Sequence, residues 1–245
     1  MNKKINTALV ITAIIIIAGA VAGAIYVSKE IDISGDYGPY DFDNIGVRFS
    51  ASIYGHNWGI VYPNSGKYYI VVNNENKGVF DEGISDFKVT DKFYGFKYSR
   101  NGKWYVRIND NDYGPFDHNI KLFISNNYWG VLYSDRASRH SKAIVNGKYY
   151  DDNVIQVSIS DNFFGIAYKA ALNSFVILND KKYGPYPSTY PHLSINNDAW
   201  LINYTKGPNK SVILFNGKEY LLDLGDMYLE NCNIYSLYRW GCEYP

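Results

Sequence analysis

Apolar and polar residues alternate position by position through most of the chain, in short runs broken by Gly, Asn, Asp and Pro. A period of two puts successive side chains on opposite faces of a strand, so the pattern predicts β-structure punctuated by tight turns. The runs also recur. An aromatic residue, a Gly and an apolar-aromatic tail occur as WGIVY (58–62), YGFKY (94–98), WGVLY (129–133) and FGIAY (164–168), with WLINY (200–204) as a degenerate fifth copy. Gly59, Gly95, Gly130 and Gly165 stand 36, 35 and 35 residues apart, and Leu201 takes the next place 36 residues on. Before each copy comes a run ending in a polar turn, as in FKVTD, LFISNN and VSISDN; after it comes a run such as KYYIVVN, KWYVRIN or SFVILN. A fourth run carries the phrase DYGPFDHN (112–119) or KYGPYPST (182–189), which also stands alone as DYGPYDFDN at 36–44.

Four strands of five or six residues joined by tight turns need about 35 residues. Helical repeats use similar periods, but these runs are β-branched, aromatic and alternating, and no helical pattern separates them. The expected fold is therefore all-β, a six-bladed β-propeller of four-stranded blades with a period of 35–36. Five complete units run from Gly46 to Asp223. The C-terminal MYLENCNIYSLYRWGCEYP aligns with the first two strands of a unit, and SKEIDISGDYGPYD near the N-terminus with the last two. A blade assembled from both would close the ring and remove its free edges. Five blades, or an incomplete closure, is the alternative.

VSISDNFFGIAY and LFISNNYWGVLY resemble the Phe-Ser-x-Asp-x-x-x-aliphatic-Ala-Tyr signature of TolB-like and dipeptidyl-peptidase-type propeller repeats, and the aromatic-Gly pairs resemble WG-type repeats. The resemblance covers residues 28 to about 240. It implies a propeller used as a binding or scaffolding platform, sometimes beside a hydrolase domain. No Gly-x-Ser-x-Gly elbow occurs in the sequence, so no such hydrolase domain is expected.

Ahead of the repeats, residues 1–27 form a separate segment, with Lys3 and Lys4 followed by an uncharged apolar stretch from Ala8 to Val27. Twenty helical residues reach about 30 Å, the thickness of a bilayer core. One reading is a signal anchor that leaves residues 28–245 as a propeller domain outside the cytoplasm on a single membrane pass. The other is a signal peptide cleaved near Ala22-Gly23-Ala24, giving a secreted domain.

Lys plus Arg and Asp plus Glu each total 24, so no net charge recruits nucleic acid. Aromatics make up 17% of the chain with 25 Tyr, which suits strands. The aromatics of the recurring pairs, Trp58, Tyr94, Trp129, Phe164 and Trp200, are expected to fill the space between blades, with the adjoining Gly admitting the neighbouring blade.

The fourth run ends in a carboxylate at Asp41, Asp81, Asp117, Asp151 and Asp223, with Pro187 in the fourth unit. The loops after the WG strands carry Arg100, Arg136, Arg139, His140, Lys169, Lys206 and Lys210. Both sets fall on one face of a propeller. An acidic inner ring with a basic outer one would draw a cation or a basic side chain to the channel mouth. The plainer reading has each Asp close its own turn. NDNDYG (109–114) lacks the spacing of a calcium loop, and the four His lack zinc spacing, so no metal or other cofactor is expected.

The function these features favour is a non-enzymatic scaffold, membrane-anchored or secreted, that binds a protein, peptide or glycan. YSDRASRHSK (133–142), with Arg136, Arg139 and His140, is the expected partner loop. Two alternatives stand: a channel-centred glycosidase or lyase using two carboxylates about 5–10 Å apart, and a structural component of a surface layer or virion. Aligning Leu229 with Leu193 puts Cys232 near the turn of the last hairpin and Cys242 at the far end of its second strand, roughly 20 Å away or more, so either the thiols stay free or the C-terminal tail folds back to bring them within reach of a disulfide.

Overall fold

A computed structural model of the protein describes residues 50–135, 137–187, 190–206, 210–223, 230–236 and 239–243, with the side chains of His118, Pro187 and residues 222–243 outside that description. It contains five four-stranded antiparallel sheets, each formed from four consecutive strands. The first comprises β1 (Ser50–Tyr54), β2 (Asn57–Asn64), β3 (Lys67–Val72) and β4 (Glu75–Phe80). The second comprises β5 (Ile84–Val89), β6 (Tyr94–Arg100), β7 (Lys103–Ile108) and β8 (Asn111–Phe116). The third runs through β9 (His118–Ile124), β10 (Trp129–Asp135), β11 (His140–Val145) and β12 (Lys148–Tyr150). β13 (Asn153–Ile159), β14 (Phe164–Ala170), β15 (Asn173–Leu178) and β16 (Lys181–Pro187) make the fourth. β17 (His192–Ile195), β18 (Trp200–Thr205), β19 (Lys210–Phe215) and β20 (Lys218–Asp223) make the fifth. Among the described residues the last two strands, β21 (Glu230–Ser236) and β22 (Arg239–Glu243), pair only with each other.

The architecture is thus all-β and propeller-like, with five complete four-stranded sheets where six were expected. Beyond them, β21–β22 form a two-stranded sheet, and β21 packs against β17 and β18 of the fifth sheet. The expected N-terminal half of the sixth lies in residues 28–41, and both it and the expected membrane helix (1–27) fall outside the described residues.

Local chemistry explains the hairpins. Ser65-Gly66, Asn101-Gly102, Asn146-Gly147 and Asn216-Gly217 all have positive φ at both positions. That is the two-residue turn whose twist matches antiparallel strands, and Asn and Gly adopt it most readily. The core lies between sheets. Val61, Ile70 and Phe80 of the first sheet meet Phe87, Val89, Phe96 and Tyr98 of the second, and three further layers of this kind follow.

The recurring aromatic-Gly pair sits in these layers. Trp58, Tyr94, Trp129, Phe164 and Trp200 are all buried. A Cβ on Gly59 would fall on Phe87 and Val89, one on Gly130 on Ile159, and one on Gly165 on Leu193 and Ile195, always in the first strand of the next sheet. The Tyr-Gly-Pro phrase forms the other half of the seam as a fourth strand, in β8 and β16. Its Tyr packs on the next sheet's WG aromatic, Tyr113 on Trp129 at 4.7 Å and Tyr183 on Trp200 at 5.3 Å between ring centres. Its second aromatic meets the Tyr that ends the next WG run, Phe116 on Tyr133 at 4.5 Å and Tyr186 on Tyr204 at 4.2 Å. Gly114 and Gly184 have φ of 129° and 110°, and the peptide bonds they make to Pro115 and Pro185 are cis. A side chain at Gly114 would also run into the Trp104 carbonyl oxygen, 2.9 Å from its Cβ. In the first sheet the phrase has decayed to Lys77-Gly78-Val79-Phe80, and the Lys77 ammonium sits 5.5 Å from the Tyr94 ring where the others place a Tyr.

Candidate functional site

The turns from first to second strand, and from third to fourth, share one rim. There the Ser/Thr-Asp/Asn turns bond from sheet to sheet. Thr90 Oγ1 donates to Ser125 O at 3.5 Å, Ser125 Oγ to Ser160 O at 2.9 Å and Ser160 Oγ to Asn196 O at 3.0 Å. One residue on, the Asp91 amide donates to Asn126 Oδ1 (3.1 Å), that of Asn126 to Asp161 Oδ1 (2.8 Å) and that of Asp161 to Asn197 Oδ1 (2.9 Å). Asp and Asn interchange here because only an acceptor oxygen is required. Asn126 Nδ2 reaches Tyr54 OH at 2.6 Å, skipping the second sheet, so these turns converge toward a common axis.

A second device on this rim was not anticipated from the sequence. The WG aromatic amides of Trp58, Tyr94, Trp129, Phe164 and Trp200 donate to Oδ1 of Asn73, Asn109, Asn146, Asn179 and Asn216, at 2.8–3.0 Å. Each of these Asn has φ between 44° and 51° and returns its own amide to the carbonyl of the same aromatic residue. The signal was available, because an Asn ends the third run of every unit. A cavity of about 100 Å³ between the first two sheets is lined by Asn73 and Asn109, whose amides are already committed to these clamps.

The opposite rim, with the second-to-third turns and the crossings between sheets, holds most of the residues singled out in the sequence. Asp81 pairs with Lys67 at 3.1 Å, and Asp117 with Lys103 at 2.8 Å. Lys142 lies 2.8 Å from Asp135 and 3.6 Å from Asp151. In each case the lysine belongs to the third strand of the same sheet, or to its first turn. Asp223 ends β20 opposite Lys210 in the register, with its side chain outside the described residues. Asp41 and Arg136 also lie outside them. Arg139 is exposed at φ 58°, and exposed His140 starts β11. The Lys142 ammonium holds the half-buried Asp135 carboxyl at about 2, helped by the Ala137 amide at 2.9 Å.

A third cluster lies in the seam between the first and second sheets. Arg107 donates from Nε and Nη2 to the two oxygens of Asp112, both at 2.7 Å. Its guanidinium lies over Phe80 at 5.3 Å and Tyr98 at 5.9 Å. Burial, with Asp112 beside the ring, pushes the Tyr98 phenol up to about 12. Burial opposes ionisation of Asp112, but the Arg107 fork outweighs it and lowers that carboxyl below its usual range. Such a planar, two-bond pair stapling a seam reads as structure rather than chemistry.

No protein-family model matches the chain, and no curated protein matches it. Among solved structures it is similar to apo AztD from Citrobacter koseri, with a TM-score of 0.36 at 10% identity over 79% of this chain and 64% of that one. It is also similar to Hsv2 from Kluyveromyces marxianus, with a TM-score of 0.32 at 9% identity over 72% of this chain and 67% of that one. The chain thus spans less than two-thirds of the AztD chain's length. At these scores neither likeness carries a functional argument, and the propeller-like architecture rests on the repeated sheets themselves.

Proposed function

We propose that the chain is a non-enzymatic interaction scaffold that binds a protein, peptide or glycan through the rim of second-to-third turns and crossings. It is exported, held at a membrane by residues 1–27 or secreted after their removal. The observation that carries this reading is the division of labour between the rims. One rim engages its turns in sheet-to-sheet bonds, so changing a turn disturbs its neighbour. The other ties Asp81, Asp117 and Asp151 back to lysines of their own sheets, which leaves each turn free to differ. Turns positioned by a rigid scaffold but not needed by it are where binding residues accumulate. The best-placed contact is residues 133–142, where Asp135 braces the turn that presents Arg139 and His140.

The test is capture from native membranes with the full chain as bait. Replacing Arg136, Arg139 and His140 together by Ala should remove a specific partner while leaving the melting temperature unchanged. Undiminished capture by that variant would exclude the loop.

The same reading completes the ring with a sixth blade joining residues 28–41 to β21–β22. Its support is periodic. Gly59 meets Phe87 and Val89, and Gly165 meets Leu193 and Ile195. The same spacing pairs Gly241 of β22 with Ala51 and Ile53, and Ile53 is 49% exposed where its counterpart Val89 is buried. A chain lacking residues 28–41 should melt well below the full-length chain, and equal melting would rule the closure out.

A further inference from the structure

The two cysteines are not at opposite ends of the terminal hairpin. β21 ends at Ser236 and β22 begins at Arg239, and Trp240 follows Trp200 by 40 residues where the usual interval is 35–36. β21 is seven residues long, as β9 and β13 are, and Cys232 is its third residue. Asn233 pairs with Gly241 and Glu230 with Glu243. Between those pairs β21 has two residues, Asn231 and Cys232, and β22 has one, Cys242. This is a β-bulge, with Cys232 next along the ladder from the Asn233–Gly241 pair and Cys242 its counterpart. Facing Cα atoms in an antiparallel pair lie about 4.5–5.5 Å apart, and a disulfide spans about 4.4–6.8 Å.

From this juxtaposition we propose that Cys232 and Cys242 form a cross-strand disulfide that staples the terminal hairpin. The need is physical: β21–β22 is the one two-stranded sheet among the described residues, with only β21 packed on the fifth sheet, and two strands alone are marginally stable in water. Such a bond acts by restricting the unfolded hairpin. In an oxidising compartment the bond forms by thiol–disulfide exchange with a small-molecule or protein disulfide. One cysteine thiolate attacks the oxidant and releases its first thiol. The second cysteine thiolate attacks the mixed disulfide and releases the other. The two protein sulfurs are oxidised, one oxidant disulfide is reduced, and two protons pass from the cysteines to the released thiols. Export, as proposed above, supplies the compartment, while the register alone supplies the geometry.

The test separates the two. The purified full-length chain is equilibrated in a buffer of reduced and oxidised glutathione at an oxidising ratio, then denatured in acid and titrated for thiols, with its intact mass recorded. The expected result is a monomer two hydrogens lighter than the reduced chain, with no free thiol until reductant is added. Cys232→Ser, Cys242→Ser and the double variant should lower the urea midpoint by the same amount, and reduced wild type should fall with them. Two free thiols, a glutathione adduct on each cysteine, or a disulfide only between chains would overturn the proposal. None of these outcomes depends on where the chain resides, so a cytoplasmic location would defeat the export reading and leave this result standing.

Discussion

The two rims are made from similar turns and differ in where their bonds go. On the rim of Ser/Thr-Asp/Asn turns, Ser125 bonds to Ser160 and Ser160 to Asn196, each 35 or 36 residues away. On the other, Lys103 bonds to Asp117 within one sheet. Among the described residues the first rim carries this sheet-to-sheet ladder, whereas the ion pairs of the second run from a crossing back to the third strand before it. A repeat fold is stable through its nearest-neighbour interfaces, so a substitution in the coupling rim or the seams below it loosens two sheets at once. Substitution on the other rim is local. This asymmetry lets one rim vary its chemistry without risk to the fold.

The contrast breaks most sharply at glycine. Gly165→Val drives a side chain into Leu193 and Ile195 of the next sheet and should cost about 3 kcal/mol in urea unfolding. Gly83→Ala, in a crossing with open space around its Cα, should stay within about 0.5 kcal/mol of wild type. Equal losses would mean that the sheets do not depend on close approach.

A smaller effect separates the rims themselves. Ser160 donates to Asn196 O and accepts from the Phe163 amide at 3.2 Å, and it is 9% exposed. Ser160→Ala leaves both partners unmet and should cost about 1–2 kcal/mol. Lys103→Ala breaks only a solvated ion pair and should cost less than about 0.5 kcal/mol. Chemical denaturation of the two variants in parallel checks the order, and a reversal would refute the coupling.

The smallest expected effect is on the seam's titration. The Tyr98 phenol is raised to about 12 in the folded protein, against about 10 in the unfolded chain. A raised value gives a contribution fully present below pH 10 and lost as pH climbs toward 12, because the unfolded state releases its proton first. Alkaline melting curves of Tyr98→Phe should therefore fall less steeply across that window than those of wild type. Parallel curves would show that the phenol ionises equally in both states.

Much of the fold was legible in the residues. The alternation of apolar positions, the Asn-Gly turns and the 35–36 period are local properties, and they located the strands of all five complete sheets. The role of the WG pair was legible too, since an aromatic beside a Gly at blade period has one economical use. The site was less so. For the carboxylates Asp81, Asp117 and Asp151 nothing in the residues named Lys67, Lys103 and Lys142 as their partners. Cross-strand pairing brings those lysines close although they lie 9–14 residues away in sequence. The Asn clamp went unread because an Asn at a turn has a sufficient local explanation, and its bond to the aromatic amide needs the second hairpin in place. The cysteines were misplaced because the interval before β21 is longer than in the other units, so alignment at the usual period ran ahead of the hairpin's register.

The sequence by itself determined the strands, their turns and the interval at which they recur, since each depends on side chains within a few positions of one another. Tertiary structure alone decided which rim couples the sheets and which lysine answers each carboxylate. It also decided that Cys232 and Cys242 both lie between the Asn233–Gly241 and Glu230–Glu243 pairs of one hairpin. Those outcomes depend on register, and register is set by how a bulge or a turn of one length brings distant residues level.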